Sequence, residues 1–210
     1  MLIAQTAHTS QAQEILQGAA ELFLRYGVKS ITMDEIARHI SVSKKTIYLH
    51  FADKDELVIT FTRMVLEQQK SEMIHLENSG TNVMESLRDL SEFLRNKVCN
   101  INPSLLFDLK KYFPQAWKIF TEHKKTFLKD HLKRLLERGM KEGYFRANLN
   151  MNIISKMRIE QVEMIFNPDV FSESDFNISE VHMQLFQHFV YGICTLKGHE
   201  EFNRLMKVAE

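Results

Sequence analysis

A short segment of this chain, residues 43 to 50, is dense in side chains that hydrogen-bond to phosphates and to base edges. Its polar members are Ser43, Lys44, Lys45, Thr46, Tyr48 and His50. Hydroxyl groups donate to phosphate oxygens, lysine ammonium groups reach O6 and N7 of guanine, and threonine and tyrosine also contact the thymine methyl group. Thr32 and Lys54 lie at the predicted starts of flanking helices, where free backbone amides add to phosphate binding. These residue types predict contacts with double-stranded DNA.

The elements that position these side chains are two helices of about two turns each, within residues 32–51 (TMDEIARHISVSKKTIYLHF). Isolated helices of that length are marginal in water, so both must pack on a shared core. The apolar residues available for it are Ile36, Ala37, Ile40, Val42, Ile47 and Phe51. Their packing leaves the polar face of the second helix outward, as entry into the major groove requires. An ordinary surface helix pair with solvated lysines is the alternative that this spacing leaves open.

The composition predicts an all-α protein, because 7 glycines and 3 prolines are far fewer than the turns of a sheet protein use. The first ten residues hold no Lys or Arg, and no later stretch approaches ~18 uncharged apolar residues. We therefore expect a cytoplasmic protein without a signal peptide or membrane span. For Cys99 and Cys194, buried structural thiols are favoured over a redox pair.

The charge balance limits how DNA could be bound. The net charge is +0, so a few placed cations must make the contacts, not bulk charge. Residues 101–146 hold eleven basic and five acidic residues, an excess that we interpret as a solvated helix face.

Capping signals divide the chain into about nine or ten helices. Capping boxes mark helix starts at Ser10, Thr32 and Asp53. Gly27 predicts a left-handed cap at the end of the first helix, and one long helix is predicted over residues 114–138. The polar run at residues 78–81 is the best candidate for a domain boundary.

Residues 11–57 resemble the N-terminal domain of TetR-family transcriptional regulators. The positions that meet the family pattern are Ile15, Leu16, Ala19, Ala20, Leu22, Phe23, Gly27, Thr32, Ile36, Ala37, Val42, Ser43, Thr46, Ile47, Tyr48, His50, Phe51, Lys54 and Leu57. Ser41 departs from the pattern, since the family usually has glycine in the turn, and Lys45 stands where a glycine often follows. If residue 41 takes a positive φ, serine adds about 1 kcal/mol of strain, and a shifted turn is the alternative. Lys45 adds a cation at the groove.

The resemblance implies a helix-turn-helix DNA-binding domain over residues 9–69, with the motif at 32–51, and a C-terminal ligand-binding and dimerisation domain over 79–210. It implies a bacterial, ligand-responsive repressor that binds a pseudo-palindromic operator as a homodimer and is released by a small hydrophobic effector. The sequence does not separate repression from activation. The predicted DNA contacts are Thr32, Ser43, Lys44, Lys45, Thr46, Tyr48, His50 and Lys54.

Two further residue sets follow from the implied C-terminal domain. An apolar effector pocket could be lined by Phe93, Phe107, Trp117, Phe120, Met157 and Met164, although residues at such spacing are more often plain core. A dimer is also expected from geometry, because two-fold partners ~34–36 Å apart are needed to read a palindrome. The residues assigned to its interface, on the last two long helices, are Val162, Leu185, Phe186, Phe189, Val190 and Ile193. The alternative, which must hold for part of each apolar stripe, is that these residues face the chain's own core.

Motifs of enzyme classes are absent from the sequence. It has no phosphate-binding glycine loop, no GxSxG elbow and no zinc motif, so we expect no catalytic residue, no metal and no cofactor. His123 and His131 share a helix face but lack a third ligand. The rival hypothesis is a helical protein-interaction adaptor without DNA binding.

Overall fold

The computed structural model describes residues 2–99, 101–172 and 174–206, and side chains at 11–97, 101–172 and 174–206. Within these residues the helices are α1 (Leu2–Tyr26), α2 (Met33–His39), α3 (Lys44–Tyr48), α4 (Lys54–Ser79), α5 (Val83–Cys99), α6 (Ser104–Tyr112), α7 (Pro114–His123), α8 (Lys129–Lys141), α9 (Met151–Met164), α10 (Ile178–Ile193) and α11 (Leu196–Met206). The only β-type pairing among them is an isolated bridge between Phe145 and Cys194. The all-α prediction is confirmed.

A single turn of π-helix, Lys124–Leu128, joins α7 to α8 without a break. Counted as one helical run, α7 to α8 brings the described helices to ten and agrees with the predicted number. The start of α1 differs from the prediction, because the helix already includes Leu2 and therefore does not begin at Ser10. Its end is as predicted: Gly27 has φ 82° and its N–H donates to the carbonyl of Phe23 at 3.0 Å.

The chain divides into two compact units, called unit 1 (Met1–Glu67 with Asn100–Thr121) and unit 2 (Gln68–Cys99 with Glu122–Glu210). The chain crosses between them within α4, after α5 and within α7. As a result α6 belongs with the N-terminal helices, whereas the sequence analysis had placed it in the C-terminal domain.

Unit 1 has a core to which α1, α2, α3, α4 and α6 all contribute. Its most deeply buried side chains include Ile15, Phe23, Ile36, Ile47, Leu57 and Phe61. Phe23 and Phe61 meet edge to face, with ring centroids 5.3 Å apart. Burial of one such side chain stabilises the fold by about 1.5–3 kcal/mol. The short helices α2 and α3 therefore depend on this core and not on their own helix propensity.

Hydrogen bonds fix α6 to the corner between α1 and α2. Asn102 donates from its backbone to the carbonyl of Leu24 at 2.7 Å and from its side chain to the carbonyl of Arg25 at 3.2 Å. These carbonyls are among those that the end of a helix leaves free. The buried Asp108 of α6 accepts from the backbone N–H of Lys29 at 2.9 Å. The segment that follows α5 is thus part of the same unit as the helix-turn-helix.

In unit 2, α5 packs against α8, α10 and α11, and α9 packs against α8 and α10. The end of α4 is held by α8: Arg134 donates two hydrogen bonds of 3.0 Å to the carboxylate of Glu77, and Nδ1 of the buried His131 lies 2.8 Å from it. Burial opposes ionisation of Glu77, but the hydrogen bonds and charges of Arg134 and His131 still keep its pKa below the usual value. Arg138 also donates to the carbonyl of Glu77, at 2.9 Å.

None of the described helices combines the length and the apolar character needed to cross a bilayer. Nowhere in the described part of the chain do three His, Cys, Asp or Glu side chains gather as metal ligands. Cys194 is a buried free thiol whose pKa is raised to about 12 by burial, while the side chain of Cys99 lies outside the described residues.

Candidate nucleic-acid interface

The helix-turn-helix begins at the predicted capping box. Thr32 accepts a hydrogen bond from the backbone N–H of Glu35 at 3.2 Å, and the Glu35 carboxylate accepts from the backbone and hydroxyl of Thr32 at 2.7 and 2.8 Å. The hydrogen bonds from Thr32 lower the pKa of Glu35. Both the backbone N–H and the hydroxyl of Thr32 are bonded to Glu35. The phosphate contact predicted for Thr32 therefore requires the Glu35 side chain to move.

The turn between α2 and α3 has the geometry of a Schellman motif. The N–H of Val42 donates to the carbonyl of Ala37 at 2.9 Å, and the N–H of Ser41 donates to that of Arg38 at 3.3 Å. Ser41 has φ 56° and is the only non-glycine residue with a positive φ among those described. Of the two alternatives left open for this residue, the structure therefore has the positive φ and not a shifted turn, and a serine in this left-handed region is strained.

Close packing on α1 holds the motif in place. Ile47, in the middle of α3, is fully buried, as is Ile36 of α2. Gly18 of α1 lies directly under the end of α2: a Cβ added there would stand 2.2 Å from Cγ2 of Ile40. The sequence pattern gave no indication of this approach, because a glycine within a helical repeat carries no apolar signal of its own.

Three of the predicted DNA contacts on α3 are engaged within the motif. Ser43 caps α3 by accepting from the backbone N–H of Thr46 at 3.0 Å, and the two hydroxyls lie 2.7 Å apart. The Lys44 ammonium donates to the Asp34 carboxylate of α2 at 2.9 Å, and this hydrogen bond raises the pKa of Lys44. All three side chains lie at the surface, yet each already has a partner.

Lys45 and Tyr48 are the members of the predicted set that remain unengaged. Both are exposed, and among the described residues neither the ammonium nor the phenol has a hydrogen-bond partner. Leu49 follows them and is 68% exposed. An apolar side chain so placed suits contact with thymine methyl groups. Leu49 is not predicted from the sequence, because leucine next to a short helix suggests core packing.

His50 and Lys54 turn toward their own unit. Nε2 of the half-buried His50 lies 3.2 Å from the side-chain oxygen of Gln11 in α1. The Lys54 ammonium donates to the carbonyl of Lys29 at 3.2 Å and lies 5.5 Å from the ring centroid of Phe113, and burial lowers its pKa. Lysine has three N–H donors, so two remain for a phosphate.

The start of α4 is less open than the sequence predicts. The Asp53 side chain accepts from the backbone N–H of Glu56 at 2.8 Å, and the Glu56 carboxylate accepts from the backbone N–H of Ala52 at 2.6 Å. The amide of Glu56, in the first turn of α4, and the preceding amide of Ala52 are thus occupied by the protein's own carboxylates and are not free to bind a phosphate beside Lys54.

The six residues expected to line a pocket fall into different surroundings. Phe107, Trp117 and Phe120 belong to unit 1, where Trp117 and Phe120 pack together with centroids 5.2 Å apart. Phe93, Met157 and Met164 belong to unit 2. Phe107 and Met157 are half exposed. No single cluster within either unit contains all six.

The residues expected at the dimer interface divide into two groups. Phe186, Phe189, Val190 and Ile193 lie in the core of unit 2, at no more than 8% exposure. They have almost no surface left to bury against a second copy, which corrects the expectation for these four. Val162 and Leu185 are partly exposed. The apolar stripe of α10 correctly indicated a buried face, but that face packs against other helices of the same chain.

Comparison with known proteins identifies relatives of the N-terminal segment. Residues 15–60 match the family model described as bacterial regulatory proteins, tetR family. This match spans the second half of α1, all of α2 and α3, and the start of α4.

Similarity extends beyond that segment. The uncharacterized HTH-type transcriptional regulator YvaF of Bacillus subtilis (strain 168) is 27% identical over 156 residues, covering 72% of this chain and 80% of YvaF. The HTH-type transcriptional repressor KstR2 of Mycobacterium tuberculosis is 24% identical over 152 residues, covering 69% of this chain and 74% of KstR2. A TetR-family transcriptional regulator from Agrobacterium tumefaciens has the same fold, with a TM-score of 0.74 at 17% identity, covering 90% of this chain and 100% of that one.

Proposed function

Because this chain belongs to the TetR family of DNA-binding transcriptional regulators, we propose that it is a repressor that binds a pseudo-palindromic operator in the cytoplasm and is released by a small-molecule effector. The observation that carries the proposal is the pair Lys45 and Tyr48. Both are exposed and unengaged on α3, on either side of the fully buried Ile47. A rigidly seated short helix with outward donors fits the major groove.

The individual DNA contacts differ in kind. Lys45, Tyr48 and Leu49 read base edges, because their side chains are unoccupied at the exposed face of α3. Lys44 and Lys54 contact phosphates, each while keeping its link to Asp34 or to the carbonyl of Lys29. The remaining predicted contacts position the backbone of the motif, and they can contact DNA only after breaking their present hydrogen bonds. These residues are Thr32, Ser43, Thr46 and His50.

The proposed operator is a palindrome with two half-sites, and a single short helix reads only one of them. The protein is therefore expected to bind as a homodimer. The surface proposed for it is on α9, where Ile153 and Met157 stand one turn apart and are 56% and 51% exposed. Val162 and Leu185 are also partly exposed, but Val162 lies on the opposite side of α9 from Ile153, so these two residues would form a separate part of the interface. Sedimentation of the wild type against an Ile153→Glu, Met157→Glu variant tests the proposal, and a wild-type monomer at micromolar concentration contradicts it.

Release is a shift between conformations. The effector binds more tightly to a conformation in which the two α3 helices of the dimer are wrongly spaced for the operator. The difference between its affinities for the two conformations sets how far operator binding is weakened, about 2.7 kcal/mol for a hundredfold loss. The helix α4 is the proposed connection. It runs unbroken from Lys54 beside the helix-turn-helix to Glu77, where Arg134 and Arg138 hold it.

Selection of bound duplexes from random-sequence DNA tests the proposed function. The purified full chain is expected to enrich an inverted repeat whose half-sites are spaced by about one helical turn or a multiple of it. Recovery of no common sequence, or of one unrepeated half-site, contradicts the proposal. A reporter gene placed behind the selected operator then distinguishes repression from activation.

A further inference from the structure

The interior of unit 2 contains a buried cation without an acidic partner. Arg158 of α9 is 5% exposed, and the one hydrogen bond recorded for it runs from Nη1 to the carbonyl of Leu185 at 3.4 Å. Its guanidinium carbon lies 5.1 Å from the ring centroid of Phe189 and 5.7 Å from that of Phe186. Burial lowers the pKa of Arg158 to about 10, so the group stays charged at neutral pH. No carboxylate among the described residues forms an ion pair with it.

A buried histidine of the same unit lies within the range of this cation's charge. His182 of α10 is fully buried, and neither ring nitrogen has a hydrogen-bond partner among the described residues. Burial, together with the charges of Arg158 and Arg95, lowers its pKa to about 4. At pH 7 the ring is therefore neutral and offers one donor and one acceptor.

On α5 and α9 of unit 2, one polar atom each is also buried without a hydrogen-bond partner among the described residues. They are Oγ of Ser91 on α5 and the side-chain oxygen of Gln161 on α9. Gln161 follows Arg158 by three residues, and Arg95 follows Ser91 by four, so each pair shares a helix face. The helix α10 packs against both α5 and α9. The unsatisfied polar groups therefore lie on three neighbouring helices of one unit.

Such an arrangement is costly unless a ligand completes it. An unpaired buried charge costs several kcal/mol, and each unsatisfied buried polar atom costs roughly 1–3 kcal/mol. A carboxylate would accept two N–H bonds from a guanidinium and a further one from a neutral imidazole or a hydroxyl. A neutral ligand leaves the charge uncompensated, and a cationic ligand adds repulsion from both arginines.

We infer that unit 2 binds a small organic acid, with Arg158 and His182 holding its carboxylate and the rings of Phe186 and Phe189 contacting its apolar body. The buried hydroxyl of Ser91, on α5, is a further hydrogen-bond donor in the same unit. The assignment rests on the proposed function, because it names the chemical class of the effector that releases the operator.

Thermal melting of the full chain with matched ligand pairs tests the inference. The probes are hexanoate, octanoate, decanoate, dodecanoate and phenylacetate, each beside its uncharged primary amide. At least one carboxylate is expected to raise the melting temperature by about 3 °C or more, with its amide giving no comparable rise. The inference is overturned if no carboxylate stabilises the protein more than its own amide does.

Variants test the residues. For the most stabilising carboxylate, Arg158→Met is expected to weaken binding at least about tenfold by calorimetry, and Arg158→Lys to weaken it less. Lys156→Met is the matched control, because Lys156 lies on the same helix but is exposed and paired with Glu160. Equal binding by Arg158→Met and the wild type contradicts the assignment. Should Arg158→Met fail to fold, the comparison of carboxylate with amide on the wild type still decides.

An operator titration in the same preparations separates this inference from the proposed function. Operator binding that no carboxylate weakens, with no carboxylate bound, overturns the inference and leaves the DNA-binding proposal standing. Carboxylate binding without recognition of any DNA leaves the site standing and overturns the proposed function. Release of the operator by the carboxylate but not by its amide supports both.

Discussion

The Lys44 ammonium of α3 donates a 2.9 Å hydrogen bond to the Asp34 carboxylate of α2. One of the two lysines on α3 therefore has an acidic side chain directly beside it. Both side chains are exposed, and such pairs contribute little to stability. Their effect is on charge at the DNA surface. If α3 binds DNA as proposed, Asp34 neutralises part of the positive field that Lys44 offers to a phosphate.

Replacement of Asp34 by Asn is therefore expected to strengthen operator binding several-fold and to steepen its salt dependence by up to about one counterion. The measurement is fluorescence anisotropy at several salt concentrations. Asp130→Asn, at an exposed acid of unit 2, is the control and is expected to change neither value. Weaker binding by Asp34→Asn contradicts this account, since it would mean that the carboxylate itself positions the helix.

Ser41 predicts a simple gain in stability. Its φ of 56° lies in the left-handed region, where a non-glycine residue costs about 1–2 kcal/mol. Ser41→Gly removes that strain but gains freedom in the unfolded chain, which offsets roughly 0.5–1 kcal/mol. We expect a net stabilisation of about 0.5–1 kcal/mol by urea unfolding. Ser71→Gly, within α4, is the control of opposite sign, with a loss of about 0.5 kcal/mol. A destabilised Ser41→Gly protein would show that the hydroxyl has a role in the turn.

Two glycines in helices predict opposite results for the same substitution. At Gly18, an added Cβ would stand 2.2 Å from Ile40, whereas at Gly192 of α10 nothing lies within 4 Å. Ala is favoured over Gly in a helix by about 1 kcal/mol, so Gly192→Ala is expected to stabilise by that amount. Gly18→Ala is expected to destabilise despite the same gain, because overpacking costs about 1–3 kcal/mol. Thermal melting compares them, and a double variant with Ile40→Ala should recover part of the loss. Stabilisation by both single variants would mean that α1 and the end of α2 are not in close contact.

These two positions also mark how far the sequence predicts the fold. The left-handed turn at Ser41 was one of the two geometries expected from the sequence, because related regulators usually have glycine at this position. The contact at Gly18 was not, since helical periodicity identifies which residues turn inward but not how closely two backbones approach. Phe189 and Val190 illustrate the same limit: their stripe on α10 predicted burial, but a stripe cannot distinguish the core of one chain from a second copy.

The sequence predicted the residue types of the candidate DNA site. It did not predict which of these side chains are already hydrogen-bonded within the protein. Thr32 was recognised both as a helix cap and as a phosphate ligand, and its hydrogen bonds to Glu35 serve the first role. The buried pair Arg158 and His182 gave no signal in the sequence, because single polar residues in amphipathic helices are ordinarily exposed. Only the packing of α9 and α10 places them inside.

The buried His182 predicts how stability depends on pH. Its pKa falls from the ordinary 6.5 to about 4 in the folded protein, owing to burial and to the charges of Arg158 and Arg95. Between these values the unfolded chain binds a proton that the folded chain does not, so stability falls as the pH drops from about 6.5 to 4. The loss for this group is about 3 kcal/mol.

His182→Gln is expected to flatten that slope in urea unfolding measured from pH 7 to pH 4.5. The exposed His188, on the same helix, is the control, and His188→Gln should keep the wild-type slope. An unchanged slope in His182→Gln would mean that His182 protonates freely in the folded state.

Base reading by the exposed side chains of α3 can be tested with single-residue variants of this helix. Lys45→Ala and Tyr48→Ala are compared with two surface controls, Lys141→Ala on α8 and Tyr26→Ala at the end of α1. Tyr26 matches Tyr48 in exposure, at 48% against 45%. The measurement is anisotropy titration of the selected operator, with melting curves to establish that each variant folds. We expect Lys45→Ala and Tyr48→Ala to bind about tenfold more weakly, since a base contact contributes about 1–3 kcal/mol, and both controls to bind within about twofold of the wild type. Wild-type affinity in both α3 variants would contradict the account.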